Sequence, residues 1–393
     1  MILPDGWKEV KLGDIADIYS GGTPERNNRA FWNGNIPWIK TGLIQNHHIT
    51  ENMVDEWITL QGLEKSSARM VSKGSILMAM YGQGKTRGQV AIIDFSAAIN
   101  QACAAFKLKS CVDTNFLYHS FKFKYDDIRL LSNTGGQKNL SISILKAIDI
   151  LLPPLAEQKK IAEVLSAWDK AIELTEKLVA EKENLLAGIA VRFWGKNCSW
   201  QKHRLSDLLT ERSEKSNGSE SVFSVSVHEG VVNQIQHLGR SFSAKDTSHY
   251  NKVCNGDIVY TKSPTGDFPY GIVKQGHIKN DVIVSPLYGV YIPKSNAIGR
   301  LVEFFFDSPR RAANYLHPLI QKGAKNTINI SNQTFLKGDI YIPENVSEQE
   351  KIASFLACAK KEITLLRSLA TEYRKQKQWL MQKLLTGEMR VTV

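Results

Sequence analysis

The chain has 393 residues, 42% of them hydrophobic and 23% charged, which leaves room for two or three globular domains. Its net charge of +11 suits a polyanionic partner without requiring one. No window approaches about 18 consecutive apolar residues, so no membrane span is expected. The start, Met1 to Trp7, has no cationic stretch followed by an apolar run and does not read as a signal peptide. Cys103, Cys111, Cys198, Cys254 and Cys358 are odd in number and never spaced C-x-x-C. That pattern predicts buried thiols in a reducing cytoplasm and no metal site.

In chain order, residues 1–155 read as a globular domain of mixed structure. Gly74 to Met80 and Val90 to Ile93 are strand-like, and Phe116 to Tyr125 is helical in pattern. After Leu151-Leu152-Pro153-Pro154, residues 156–197 read as one long helix, because proline stops a strand and tolerates a helix start. Residues 198–345 repeat the mixed pattern, with strands at Gly256 to Tyr260 and Val282 to Val284 and helix from Leu301 to Tyr315. After Tyr341-Ile342-Pro343, residues 346–393 read as a second long helix, with Ser347 and Glu350 spaced as a capping box.

Both long helices carry a seam. Ile161, Leu165, Trp168, Ile172, Thr175, Val179, Lys182, Leu186, Ile189 and Phe193 step by alternating four and three residues. Ile352, Leu356, Ala359, Ile363, Leu366, Ala370, Tyr373, Lys377, Leu380 and Leu384 do the same. Spacing that averages 3.5 keeps a stripe against a partner helix, so the helices are expected to pack on each other. Helices of about 35 residues would span roughly 50 Å.

Laid against itself, the chain is an internal repeat. The pattern W-x-x-x-[KR]-L-x-D-[IL] opens at Trp7 and again at Trp200. Val71 to Ile76 matches Val253 to Ile258, Gly136 to Asn139 matches Gly323 to Asn326, and Glu157 to Ala162 matches Glu348 to Ala353. All four matches keep their order. The expected fold class is therefore α/β: two mixed α/β domains in tandem, separated by two long helices packed as an antiparallel coiled coil, in a pseudo-twofold repeat.

Signs of catalysis are missing. Gly82 to Thr86 contains G-K-T, but Ala79 replaces the first P-loop glycine, and Arg87 to Ile93 reads as turn and strand where a nucleotide site needs a helix N-terminus. His228-Glu229 lacks a zincin's second histidine, and His47-His48 has no ligand partner at helical spacing. There is no G-x-S-x-G and no methyl-donor loop with its N/D-P-P-Y/F motif. Charge is sorted instead: Lys65 to Ile93 and Ser308 to Gly338 contain basic residues and no acid, as a phosphate-facing surface requires.

The two Trp openings, the G-Q-K-N-L-S run at Gly136 to Ser141, the P-P-L-A-E-Q-K-K-I-A run at Pro153 to Ala162 and the ending Leu380 to Val391 resemble the specificity subunits of type I restriction–modification systems over essentially the whole length. The second copy departs where Glu344 to Ser347 replace the second proline and its neighbours. The resemblance implies a non-catalytic subunit with two target-recognition domains, each reading one half of a split, asymmetric site in double-stranded DNA. It implies that the helices set the spacer and dock two methyltransferase subunits, with restriction/translocase subunits joining that core. S-adenosylmethionine, ATP and Mg would then belong to partners, and this chain would hold no cofactor. A related phage-defence methyltransferase, a coiled-coil scaffold without DNA reading and a standalone nucleic-acid enzyme remain alternatives. Candidate DNA contacts are Lys40, Arg69, Tyr81, Gln83, Lys85, Arg87, Lys138 and Asn139 in the first domain, and Lys262, Thr265, Lys274, Lys322, Lys325 and Asn326 in the second. Lysine and arginine at glycine turns reach phosphates, whereas Gln83, Asn139 and Asn326 could pair with adenine edges.

Overall fold

A computed structural model describes residues 3–82, 84–131, 139–195, 199–240, 246–322 and 328–392, without the side chains of residues 238, 321, 322, 328 and 329. It divides into two compact units, Met1–Thr175 with Leu369–Val393, and Glu176–Ser368.

The first unit is built on a five-stranded sheet in the order Ala16–Ser20, Cys103–Leu108, Ile76–Ala79, Val90–Ile93, His48–Ile49. Its central strands are apolar without alternation because both faces are covered. Ile76, Met78, Val90, Ile92, Ala104 and Phe106 enter a core with Leu117 and Phe121 of the helix Thr114–Phe123. Leu77, Ala79, Ala91, Ile93, Cys103 and Ala105 enter a second core on the opposite face. A smaller sheet follows the order Trp57–Ile58, Trp32–Ile39, Ala97–Ile99, Arg69–Val71.

The second unit repeats this scheme. Its four-stranded sheet runs Leu209–Glu211, Gly289–Pro293, Ile258–Tyr260, Val273–Gln275, the same order as the first four strands of the larger sheet in the first unit. Asn251–Val253 pairs antiparallel with Val282–Val284, as Arg69–Val71 does with Ala97–Ile99. Here the core is aromatic: Phe335 stacks on Tyr260 and Tyr291 at 4.7 and 4.9 Å between ring centroids. The units diverge after their first sheet strand. The second unit places there a hairpin, Phe223–Ser226 with Gly230–Asn233, and a short helix Gln234–Leu238.

Each repeat closes on itself. Lys8–Lys11 pairs antiparallel with Asp149–Leu152, and Gln201–Arg204 pairs the same way with Asp339–Ile342. The long helices then follow as Leu155–Phe193 and Val346–Leu385. At both junctions a buried glutamine satisfies the turn: Gln158 Nε2 donates to the carbonyls of Pro153 and Cys111, both at 2.9 Å, and Gln349 Nε2 donates to that of Pro343 at 2.7 Å. Gln158 Oε1 also accepts from the Asp113 amide at 2.8 Å. The expected capping box is displaced. Helix begins at Val346, and Asn345, not Ser347, caps it by accepting from the Glu348 amide. The helix read over Leu301 to Tyr315 is in fact two, Asn296–Phe306 and Pro309–Leu316, because Ser308 caps a fresh start with proline at its first position.

Within the first unit the two long helices run antiparallel. Trp168 meets Tyr373 edge-on at 5.5 Å, while Ile161 and Leu165 share a core with Met381, Leu384 and Leu385. Arg390, just past the second helix, grips the buried Glu157 near the start of the first with two bonds of 2.7 Å, and Trp7 Nε1 donates to the same carboxylate at 3.1 Å. Within the second unit Lys182 pairs with Glu362 at 2.8 Å, Glu183 pairs with Arg367, and Leu186 and Ala190 share a core with Leu356 and Ile363. Every seam residue named above is buried or half-buried.

Gln158→Leu is expected to leave the Asp113 amide and two carbonyls unsatisfied, lowering stability by about 1–3 kcal/mol in urea unfolding. Unchanged stability would remove the amide from this junction role.

Candidate nucleic-acid interface

The strands Ile76–Ala79 and Val90–Ile93 form a hairpin, with Met78 opposite Val90. Its loop carries Tyr81, Lys85 and Arg87, so the G-K-T run sits in a hairpin turn. Tyr81 and Lys85 are exposed, and Arg87 is half-buried. The loop is held from below by the helix Tyr125–Leu130. Tyr125 Oη donates to the Lys85 carbonyl, Arg129 Nη2 donates to the Gly84 carbonyl at 2.6 Å, and Arg87 Nη2 donates to the Arg129 carbonyl at 3.3 Å. Gly88, at φ +84°, turns the chain back into the sheet where a Cβ would lie 3.1 Å from Arg129 Cγ. The Leu140 amide donates to the Met80 carbonyl at 3.0 Å, which brings half-buried Asn139 to the same edge.

The second unit has a loop in the same topological place, between Ile258–Tyr260 and Val273–Gln275. Lys262 stands at its start with φ +62°, half-buried, and burial lowers its pKa. Thr265 is exposed in a tight turn whose amide donates to the Phe268 carbonyl at 3.0 Å. Tyr270 from this loop packs at 5.8 Å against His317, which follows the helix Pro309–Leu316.

The remaining candidates do not gather at these loops. Arg69 is exposed on its own strand, 6.0 Å over the Tyr19 ring. Lys40 donates to Asp55 at 2.9 Å and Glu56 at 2.6 Å, bonds that raise its pKa and offset its charge. Lys274 corrects the sequence reading. It is only 7% exposed and donates to Asp307 at 2.6 Å, so it belongs to the interior, having a strand position that faces a helix instead of solvent. Gln83, Lys138, Lys325 and Asn326 lie outside the described residues, and Lys322 is placed in the strand Gln321–Lys322 without its side chain. Tyr125 and Arg129 were missed by sequence reasoning. Their four-residue spacing puts them on one helix face, but nothing local marks that face as holding a loop. No group of His, Cys, Asp and Glu among the described residues could hold a metal ion. No helix among them is long and apolar enough to cross a membrane.

Residues 4–184 match the family model of the type I restriction modification DNA specificity domain. The MjaIX specificity subunit of Methanocaldococcus jannaschii is 33% identical over 44% of this chain and 40% of its own length. The EcoR124I/EcoR124II specificity subunit of Escherichia coli is 30% identical over 45% and 44%. The matched stretch thus spans less than half the length of these two curated relatives. The MjaVIII specificity subunit of M. jannaschii extends the likeness to 99% of this chain and 94% of its own length, at 22% identity. Among solved structures, the type I restriction–modification S subunit of M. genitalium has the same fold, with a TM-score of 0.65, 14% identity, and coverage of 100% of this chain and 99% of that one. Residues 4–184 thus carry a match to the type I restriction modification DNA specificity domain, and the relatives that match them are specificity subunits.

Arg129→Ala is expected to release the Gly84 carbonyl and speed amide hydrogen exchange across residues 84–88, leaving the central strands protected. Unchanged exchange there would show that the loop does not depend on the clamp.

Proposed function

We propose that this chain reads a split, asymmetric site in double-stranded DNA, with residues 1–155 and 198–345 each reading one half. The observation that carries the reading is the repeated hairpin loop. It holds one place in a repeated topology, yet its side chains differ between the units: Tyr81, Lys85 and Arg87 in one, Lys262 and Thr265 in the other. Cationic side chains at such turns suit phosphate oxygens, and tyrosine and threonine can contact bases or backbone. Different loops on a common frame suit two different half-sites.

The long helices, 156–197 and 346–393, set the spacer and dock two methyltransferase subunits, through which restriction/translocase subunits join. In the second unit the docking face includes Leu178, Leu185 and Leu365, which are 40%, 61% and 60% exposed. S-adenosylmethionine, ATP and Mg act on those partners, and the assembly works in the cytoplasm.

Methylation mapping of the host genome with and without this gene tests the reading. A modified adenine in a two-part, non-palindromic motif should vanish on deletion. Unchanged methylation in a strain expressing the gene would overturn it. In the assembled complex with methyltransferase subunits, Lys85→Ala should weaken DNA binding equally across sequences and reduce the slope of log affinity against log salt by about 1. A sequence-selective loss would make Lys85 a base contact instead.

A further inference from the structure

In each unit, one long helix meets the helix that follows the large sheet's long strand across a cluster of charges. The two clusters have opposite polarity. In the first unit the helix Leu155–Phe193 supplies the anion, Asp169. The facing helix Thr114–Phe123 supplies the cation Lys122 at 3.6 Å, with the His119 imidazole, kept neutral by burial, at 3.8 Å, and Lys377 pairs with the same carboxylate. In the second unit the helix Val346–Leu385 supplies the cation, Lys360. The facing helix Asn296–Phe306 supplies Glu303 at 3.4 Å, and its cap residue Asp307 pairs with Lys360 as well. Lys274 and His277 flank these carboxylates at 2.6 and 3.8 Å.

Asp169 and Lys360 occupy the same position of the repeat, equally far past the shared Gln158 and Gln349. One position therefore carries opposite signs in the two copies, and the facing helices carry the matching opposite signs. These contacts are partly shielded: the side chains of Lys122 and Asp169 are 19% and 38% exposed, and those of Glu303 and Lys360 10% and 32%. A like-charge meeting at such a place leaves partly desolvated ions unpaired, which costs more than on an open surface.

We infer that this reversed polarity is a pairing key: each long-helix position accepts a recognition domain whose facing helix bears the opposite charge, and rejects the domain from the other half of the repeat. A chain made of two similar halves faces wrong pairings that a single-copy fold does not, within one molecule or between two. Apolar packing alone discriminates poorly between similar surfaces, whereas charge discriminates by repulsion. Wrong pairing would set Lys122 against Lys360, and Glu303 with Asp307 against Asp169. The inference does not depend on which bases the chain reads.

Thermal unfolding of the full chain tests the key. Lys360→Glu should lower the unfolding midpoint by several degrees, and adding Glu303→Lys, which leaves the Lys274–Asp307 pair in place, should recover part of the loss. The deciding variant is a chimaera in which residues 200–343 are replaced by a copy of residues 7–153, so that a copy of Lys122 faces Lys360. There Lys360→Asp should raise the midpoint and soluble yield, although the same change lowers them in the natural chain. If Lys360→Asp lowers the midpoint in both settings, or changes neither, the ions are ordinary stabilising pairs and the key is overturned. Should neither chimaera be soluble, the charge change has failed to rescue the wrong pairing and the key is overturned.

Discussion

The structure depends on how each globular sheet hands the chain to a long helix. Two prolines, or one proline and a capping asparagine, end the last strand, and one buried glutamine amide then satisfies the carbonyl stranded at the turn. In the first unit that side chain also ties in the start of the helix Thr114–Phe123 through Cys111 and Asp113. Strand end, long helix and domain helix are thus fixed at one amide. Burying an amide is unfavourable unless its donors and acceptor are matched, and here they are matched by two segments, Pro153 at the strand end and Cys111 with Asp113 before the domain helix. The direction in which the long helix leaves its domain follows from that matching.

The two units share their frame and differ in what the frame carries. Sheet order, the closing strand pair and the junction glutamine recur, whereas the segment after the first sheet strand becomes a second sheet in one unit and a hairpin with a short helix in the other. Even a shared residue takes different work. Trp7 donates to the buried Glu157, while Trp200 stacks on Phe193 at 4.8 Å. Glu348, the repeat partner of Glu157, is exposed. What is common is therefore the pairing of backbones, and what varies is the use of side chains.

Much of this was legible in the sequence because it rests on periodicity and punctuation. Alternating four-three spacing marked the seams, and Pro153, Pro154 and Pro343 marked the strand ends. The repeat revealed two copies of one unit. The G-K-T run could be refused as a nucleotide site because strand residues follow it. What escaped was set by contacts distant in sequence. Lys274 reads in sequence as a lysine near a glycine turn that could reach a phosphate, yet Asp307, 33 positions away, draws it inside. Lys40 faces two carboxylates that follow it by 15 and 16 residues. The cap at Asn345 lost to a better-known motif at Ser347, since both residues can accept from an early helix amide and only the backbone path decides between them.

The clamp on the first hairpin loop takes hold of carbonyl oxygens, those of Gly84 and Lys85. Every residue has a carbonyl, so the grip does not specify which side chains the loop displays. Substitutions at the exposed positions can alter what the loop touches without loosening its attachment to the helix beneath. Under the proposed reading, a loop mounted in this way separates the inheritance of shape from the inheritance of preference: the first is carried by Tyr125, Arg129 and Gly88, the second by a few outward side chains free to drift.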